Sequence, residues 1–228
     1  MIGLFRKQKK GNEIPEKILP TVAIQEKIRT TRIVLIVGGK GSGKSTFIND
    51  VLKQIAIENN HKILIADTVN NGIYNDTPVI PKSKFGAWCR NKDMLGPARL
   101  IINEPNYLAE MITFHFKIYG NDYPTCTLFI EDAKRLTGDN LPKVLDSYFQ
   151  NSKQFGVDIV MPFHSIVRVP PRAWDLADEL LLFKSKCDEK EIPKRIKGDY
   201  ADDVLSAYNK LKQPGYPDYT PIRINIKD

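Results

Sequence analysis

Eight residues, Gly38-Gly39-Lys40-Gly41-Ser42-Gly43-Lys44-Ser45, constrain this chain more than any other feature. They fit the pattern G-x4-G-K-[ST] and lie between two segments of different character. Before them, Ile33-Val34-Leu35-Ile36-Val37 is a continuous apolar run, which predicts a strand buried on both faces. After them, Ser45 to Ile57 carries Phe47, Ile48, Val51, Leu52 and Ile55 at helical spacing, which predicts an amphipathic helix with these five on one face. Strand, glycine loop and helix in that order make a phosphate cradle. Glycines let backbone N–H groups turn inward around phosphate oxygens where side chains would block them, and the helix start adds partial positive charge. Gly38 through Ser45, with Thr46 next to them, are the expected phosphate-binding residues. Lys44 is expected to reach the β- and γ-phosphates, and Ser45 to offer its hydroxyl to Mg²⁺. The expected ligands are therefore a nucleoside triphosphate and Mg²⁺.

The rest of the 228 residues continues the alternation. Further strands are predicted at Ile63–Ala66 (closing with Asp67), Ala98–Ile102, Thr127–Ile130, Val157–Met161 and Leu180–Phe183. A final one at Ile222–Ile226 alternates strictly, as an edge or one-sided strand does. Helices are predicted after Pro105 (Leu108, Met111, Ile112), after Pro142 (Leu141, Val144, Leu145, Tyr148, Phe149) and through Val204, Leu205, Tyr208 and Leu211. Strands alternating with helices predict an α/β fold with a mostly parallel sheet covered on both faces. Residues 1–30 read as a basic tail and linker, with Arg6, Lys7, Lys9 and Lys10 clustered and Pro15 and Pro20 following. Residues 31–228 read as one domain.

Composition narrows the function classes. With 42% hydrophobic residues, disorder of the whole is excluded. No apolar run approaches the roughly 18 residues a membrane span needs, and the start lacks the apolar stretch of a secretory signal. Cys89, Cys126 and Cys187 are odd in number and far apart, without zinc spacing, and read as thiols in a reducing compartment. A cytoplasmic protein is expected. The formal net charge of +7 suits a polyanionic partner, and equally a solvated surface of mixed charge.

A triphosphate-processing site needs acids on a neighbouring strand, and Leu128-Phe129-Ile130-Glu131-Asp132-Ala133 delivers two at a strand's carboxyl end. One carboxylate of such a pair holds the metal shell; the other orients or deprotonates an attacking water. Among P-loop classes, a water-activating acid beside the metal acid goes with hydrolysis rather than transfer to a bound acceptor.

These motifs together resemble the FtsK–HerA superfamily of P-loop ATPases, ring-forming DNA pumps with a RecA-like, ASCE-type fold. The cradle at 41–45 is generic, but Phe129-Ile130-Glu131-Asp132-Ala133-Lys134-Arg135-Leu136 is similar to the superfamily's apolar-Asp-Glu-Ala segment with a downstream arginine. Gly156-Val157-Asp158-Ile159-Val160-Met161-Pro162-Phe163-His164 is similar to its strand ending in a polar γ-phosphate sensor. The resemblance spans roughly residues 30–185. Two departures stand out: the acids read Glu-Asp instead of Asp-Glu, and the sensor is His164 instead of Gln. By register Glu131 takes the metal role and Asp132 the water role.

The resemblance also implies an arginine reaching a neighbouring subunit's γ-phosphate, for which Arg168 and Arg172 are the first candidates and Arg135 a third, with Arg90 and Arg99 less well placed. Asp67 either approaches the site or caps its own turn, and His61 and His115 read as structural. The superfamily members similar in length are genome-packaging ATPases of tailless, often membrane-containing, icosahedral viruses. The resemblance thus implies an ATP-driven translocase of double-stranded DNA, acting as a homo-oligomeric ring with a virion vertex or membrane protein as a further partner. Its DNA contacts would be sequence-independent, with Lys82–Phe85, the region 184–197 and the basic tail as candidates. The alternatives are a secretion or virion-assembly ATPase similar to zonula occludens toxin, acting on protein at a membrane, and a small-molecule or nucleoside kinase. A kinase lid wants several arginines, and residues 184–197 hold only Arg195.

Overall fold

The computed structural model describes residues 31–70, 72–91, 96–102, 107, 126–154, 156–196, 198 and 200–227. The basic tail, the helix expected after Pro105 and His115 lie outside the described residues. Among the described residues, seven strands form one sheet: β1 (Ile33–Val37), β2 (Lys62–Asp67), β3 (Pro97–Ile101), β4 (Cys126–Ile130), β5 (Val157–Phe163), β6 (Glu179–Leu182) and β7 (Ile222–Asn225). Their order is β3-β2-β4-β5-β1-β6-β7. β1 to β6 pair in parallel, and only β7 runs antiparallel to its neighbour. The sheet is therefore the mostly parallel one that the alternation predicts, with β7 as its alternating edge strand.

Because side chains alternate across a strand, each strand feeds two cores. Leu35, Leu64, Leu128, Ile159 and Leu180 face a large cluster, while Ile36, Ile65, Phe129, Val160 and Leu181 face a smaller one. The large cluster is covered by α3 (Phe85–Arg90), α4 (Ala133–Thr137), α5 (Lys143–Asn151), α6 (Pro171–Leu176), α7 (Ile192–Arg195) and α8 (Ala201–Leu211). Each fully buried side chain of this size contributes about 1.5–3 kcal/mol. Lys62, buried within β2, donates to the carbonyls of Trp88, Cys89 and Asn91 and so satisfies acceptors at the end of α3.

The smaller cluster is covered by the helix after the glycine loop. It runs as α1 (Lys44–Phe47), a π-helical turn (Ile48–Leu52) and α2 (Lys53–Glu58). Here the expected apolar face is corrected. The wider turn takes up extra chain per revolution, so the residues beyond it rotate relative to an α-helical wheel. Lys53 and Ala56 turn inward, and Ile55 is left 49% exposed. The Lys53 ammonium is met there by Asp76 (2.8 Å), Asn49 (3.0 Å) and Thr77 (3.3 Å). Val144 of α5 is likewise exposed instead of sharing the inward face of Leu145, Tyr148 and Phe149.

Candidate functional site

The parallel strands all end on one edge of the sheet, and the cradle leaves β1 there. It hangs from both neighbours: the Gly38 N–H donates to the Phe163 carbonyl at the end of β5 (3.1 Å), and the Gly39 N–H to the Lys184 carbonyl just past β6 (2.9 Å). A Cβ at Gly38 would lie 2.6 Å from both Phe183 Cβ and Ser42 Oγ, so no larger residue passes. Gly43 sits at φ +91°, the left-handed region, and a Cβ there would meet the Tyr219 ring at 2.8 Å. Lys44 follows, 7% exposed, with Nζ donating to the Gly38 (2.6 Å) and Gly39 (2.8 Å) carbonyls. Burial pulls its pKa down to about 8, against the opposing pull of Asp132. A cation this poorly hydrated is matched to an incoming anion.

β4 ends by placing Glu131 and Asp132 at the same edge. The Glu131 N–H donates to the Ala66 carbonyl (3.0 Å), and its carbonyl accepts the Thr68 hydroxyl (2.7 Å), locking the exit of β4 to that of β2. Glu131 is buried, and its charge and that of Asp67 act on the Tyr74 hydroxyl, whose pKa is pushed up chiefly by burial. Asp132 adopts a left-handed conformation, φ 44° and ψ 61°, rare outside glycine and asparagine or aspartate. That turn reverses the chain into α4. The Asp132 Oδ1 lies 4.0 Å from Nε2 of His164, which follows β5 directly. Burial lowers the His164 pKa, with Lys44 next in effect, Asp132 opposing, and Arg168 and Lys40 adding to the lowering. The imidazole is thus neutral near pH 7. Lys40, Lys44, Asp132, His164 and Arg168 form one electrostatic neighbourhood drawn from the ends of β1, β4 and β5.

The remaining arginines divide. Arg168 is exposed, and among the described residues its side chain makes no ion pair or hydrogen bond. Arg172 is bound to Asp146 (2.8 Å) and approaches Asp175 (3.8 Å). Arg135 donates to the Thr68 carbonyl (2.7 Å), and Arg99 is buried against Asp67 (3.5 Å). Asp67 itself accepts from the Val69 (3.1 Å) and Asn70 (2.6 Å) N–H groups, which is the turn-capping role. His61 is buried against the Thr127 hydroxyl (2.9 Å). In the 184–197 region, Lys194 pairs with Glu191 and Lys184 with Asp218, both at 2.6 Å, so part of that basic character is neutralised locally. Lys82 and Lys84 are exposed, with Lys82 Nζ 3.5 Å from the Tyr107 ring centre. The contact of Tyr219 with the cradle is not visible in the sequence motifs; the only local signal is the turn-rich run Pro214-Gly215-Tyr216-Pro217 before it.

The donor set also suits Mg²⁺. Ser45 and the two consecutive carboxylates are hard oxygen donors, and Mg²⁺ takes one or two carboxylates plus phosphate oxygens and water. Among the described residues, no group of three or more His, Cys, Asp or Glu is placed to hold a metal ion.

A glycine cradle on a parallel sheet, with acids two strands away, defines an α/β protein of the P-loop NTPase fold. Comparison of structures bears this out. The chain is similar to the genome packaging NTPase B204 from Sulfolobus turreted icosahedral virus 2 in complex with ATP-gammaS (TM-score 0.69, 16% identity), over 87% of this chain and 94% of that one. It is similar to B204, the DNA-packaging ATPase from Sulfolobus turreted icosahedral virus (TM-score 0.63, 18% identity), over 86% and 92%. A third similar structure is the pCW3 conjugation coupling protein TcpA with ATPgS (TM-score 0.50, 11% identity), over 76% and 54%. The resemblance carried by the three sequence motifs therefore holds at the level of fold. No family model matches the chain, and no curated protein matches it in sequence. Among the described residues, no helix is long and apolar enough to cross a membrane.

Proposed function

We propose that this protein is an ATP hydrolase that drives double-stranded DNA, packaging a viral genome as an oligomeric ring. The observation that carries the reading is the convergence of Lys44, Glu131, Asp132 and His164 on one sheet edge around the glycine cradle. The cradle N–H groups and Lys44 bind and orient the triphosphate. Ser45 and Glu131 would hold Mg²⁺, which when bound neutralises charge on the β- and γ-oxygens. Asp132, half-buried and aimed back across the edge by its left-handed turn, accepts the proton of the attacking water. Neutral His164 donates a hydrogen bond to the γ-phosphate or that water and passes its occupancy to β5. Arg168, exposed beside this edge and uncommitted among the described residues, would serve a neighbouring subunit's γ-phosphate.

Support for the cargo comes from the similarity over nearly the whole length of the packaging NTPases, together with the net charge of +7. Lys82, Lys84 and the basic tail are the contacts we assign to the DNA backbone. Steady-state ATP hydrolysis with and without long double-stranded DNA tests this reading, with Lys44→Ala as blank. Stimulation that weakens as salt rises is expected. Hydrolysis indifferent to DNA would favour a secretion or assembly ATPase acting on protein, and absence of hydrolysis would favour a kinase.

A further inference from the structure

Tyr219 is a bulky residue in a place that costs the backbone something and hides little of the ring. Its φ is +63°, in the left-handed region that favours glycine, and it is 68% exposed. Backbone strain of this kind persists where the surroundings enforce it, and it concentrates at ligand sites. The surroundings here do enforce it. Lys184 ties the Tyr219 loop to the cradle at both ends: its carbonyl accepts the Gly39 N–H (2.9 Å), while its ammonium donates to the Tyr216 carbonyl (3.1 Å) and Asp218 Oδ1 (2.6 Å). The Tyr219 ring is thereby laid against Gly43, close enough that even a methyl group at that glycine would collide.

The sheet order says which part of a nucleotide arrives there. Glu131 and Asp132 stand at the end of β4, which is separated from β1 by β5 on one side. Tyr219 precedes β7, which is separated from β1 by β6 on the other side. A triphosphate whose terminal phosphate lies toward the acids runs its nucleoside the opposite way, onto the β6–β7 side. We infer that Tyr219 is the platform on which the nucleotide base stacks, making it the residue that converts a triphosphate cradle into a nucleotide site. This rests on the nucleotide-binding reading above. Stacking uses the π face that every base presents, so the ring, not the hydroxyl, is the working part.

The test compares binding of ATP and of inorganic tripolyphosphate, by calorimetry, to the wild type and to Tyr219→Ala, Tyr219→Phe and Tyr219→Gly. Tyr219→Ala and Tyr219→Gly are expected to weaken ATP on the order of 10- to 100-fold and to leave tripolyphosphate unchanged, while Tyr219→Phe binds both as the wild type does. Tyr219→Gly also relieves the positive φ, so its thermal midpoint should be no lower than the wild type's, which separates loss of stacking from loss of fold. Unchanged ATP affinity in Tyr219→Ala would overturn the inference. So would equal loss of ATP and tripolyphosphate, which would make the ring a prop for the cradle. A wild type that binds neither ligand would remove the nucleotide reading and the inference with it.

Discussion

Lys44 illustrates how a single residue trades stability for binding. Its folded pKa of about 8 lies below the ordinary 10.5, so between those values the unfolded chain holds more protons than the folded one, and stability rises with pH across that window. Below pH 8 the buried charge costs on the order of 3 kcal/mol. Lys44→Met should therefore abolish hydrolysis yet melt no lower than the wild type at pH 7, with its advantage vanishing between pH 8 and 10.5 in parallel thermal melts. A lower midpoint for Lys44→Met at pH 7 would contradict the assignment. Asp132 makes the complementary case. Asparagine tolerates the left-handed backbone, so Asp132→Asn should keep the thermal midpoint while lowering kcat by at least about 100-fold. Asp132→Ala should lose the same activity and, in addition, about 1 kcal/mol of stability. Preserved kcat in Asp132→Asn would move the water role to another group.

At the scale of elements, the helix after the cradle is where periodicity and structure part. Ile48 is buried and Ile55 exposed, although an unbroken α-helix would put both on one face. Urea unfolding should show Ile48→Ala costing about 2–5 kcal/mol and Ile55→Gln within about 0.5 kcal/mol of the wild type. Comparable losses at the two positions would contradict the π turn. The strands were far more legible, because a run such as Ile33–Val37 is apolar at every position and no change of phase alters that. Glu131, Asp132 and His164 were legible as strand-end residues for the same reason: a strand's carboxyl end fixes where the next residue stands. Their individual surroundings were not legible. The pairing of Arg172 with Asp146 and the approach of Tyr219 to Gly43 join residues distant in sequence, and the left-handed turn at Asp132 is a single-residue backbone state that leaves no mark on the apolar pattern. The antiparallel edge strand β7 was legible as alternation, but that its preceding loop reaches the cradle follows only from the sheet order.

For the whole molecule, the ring proposed above would put part of each site on a neighbour. Arg168→Ala should then retain ATP affinity while losing on the order of 10³-fold in hydrolysis, and mixing it with Lys44→Ala subunits should restore part of the activity. Such rescue needs an arginine donated across an interface, so its absence at ring-forming concentrations would contradict the shared site. Arg172→Ala, whose guanidinium is already paired with Asp146, should change hydrolysis little. The proposed movement along DNA is tested most directly by displacement of a third strand from a triplex placed far along a long duplex. Translocation predicts ATP-dependent displacement by the wild type, delayed in proportion to distance and absent in Lys44→Ala. Robust ATP hydrolysis on the same duplex without displacement would contradict it.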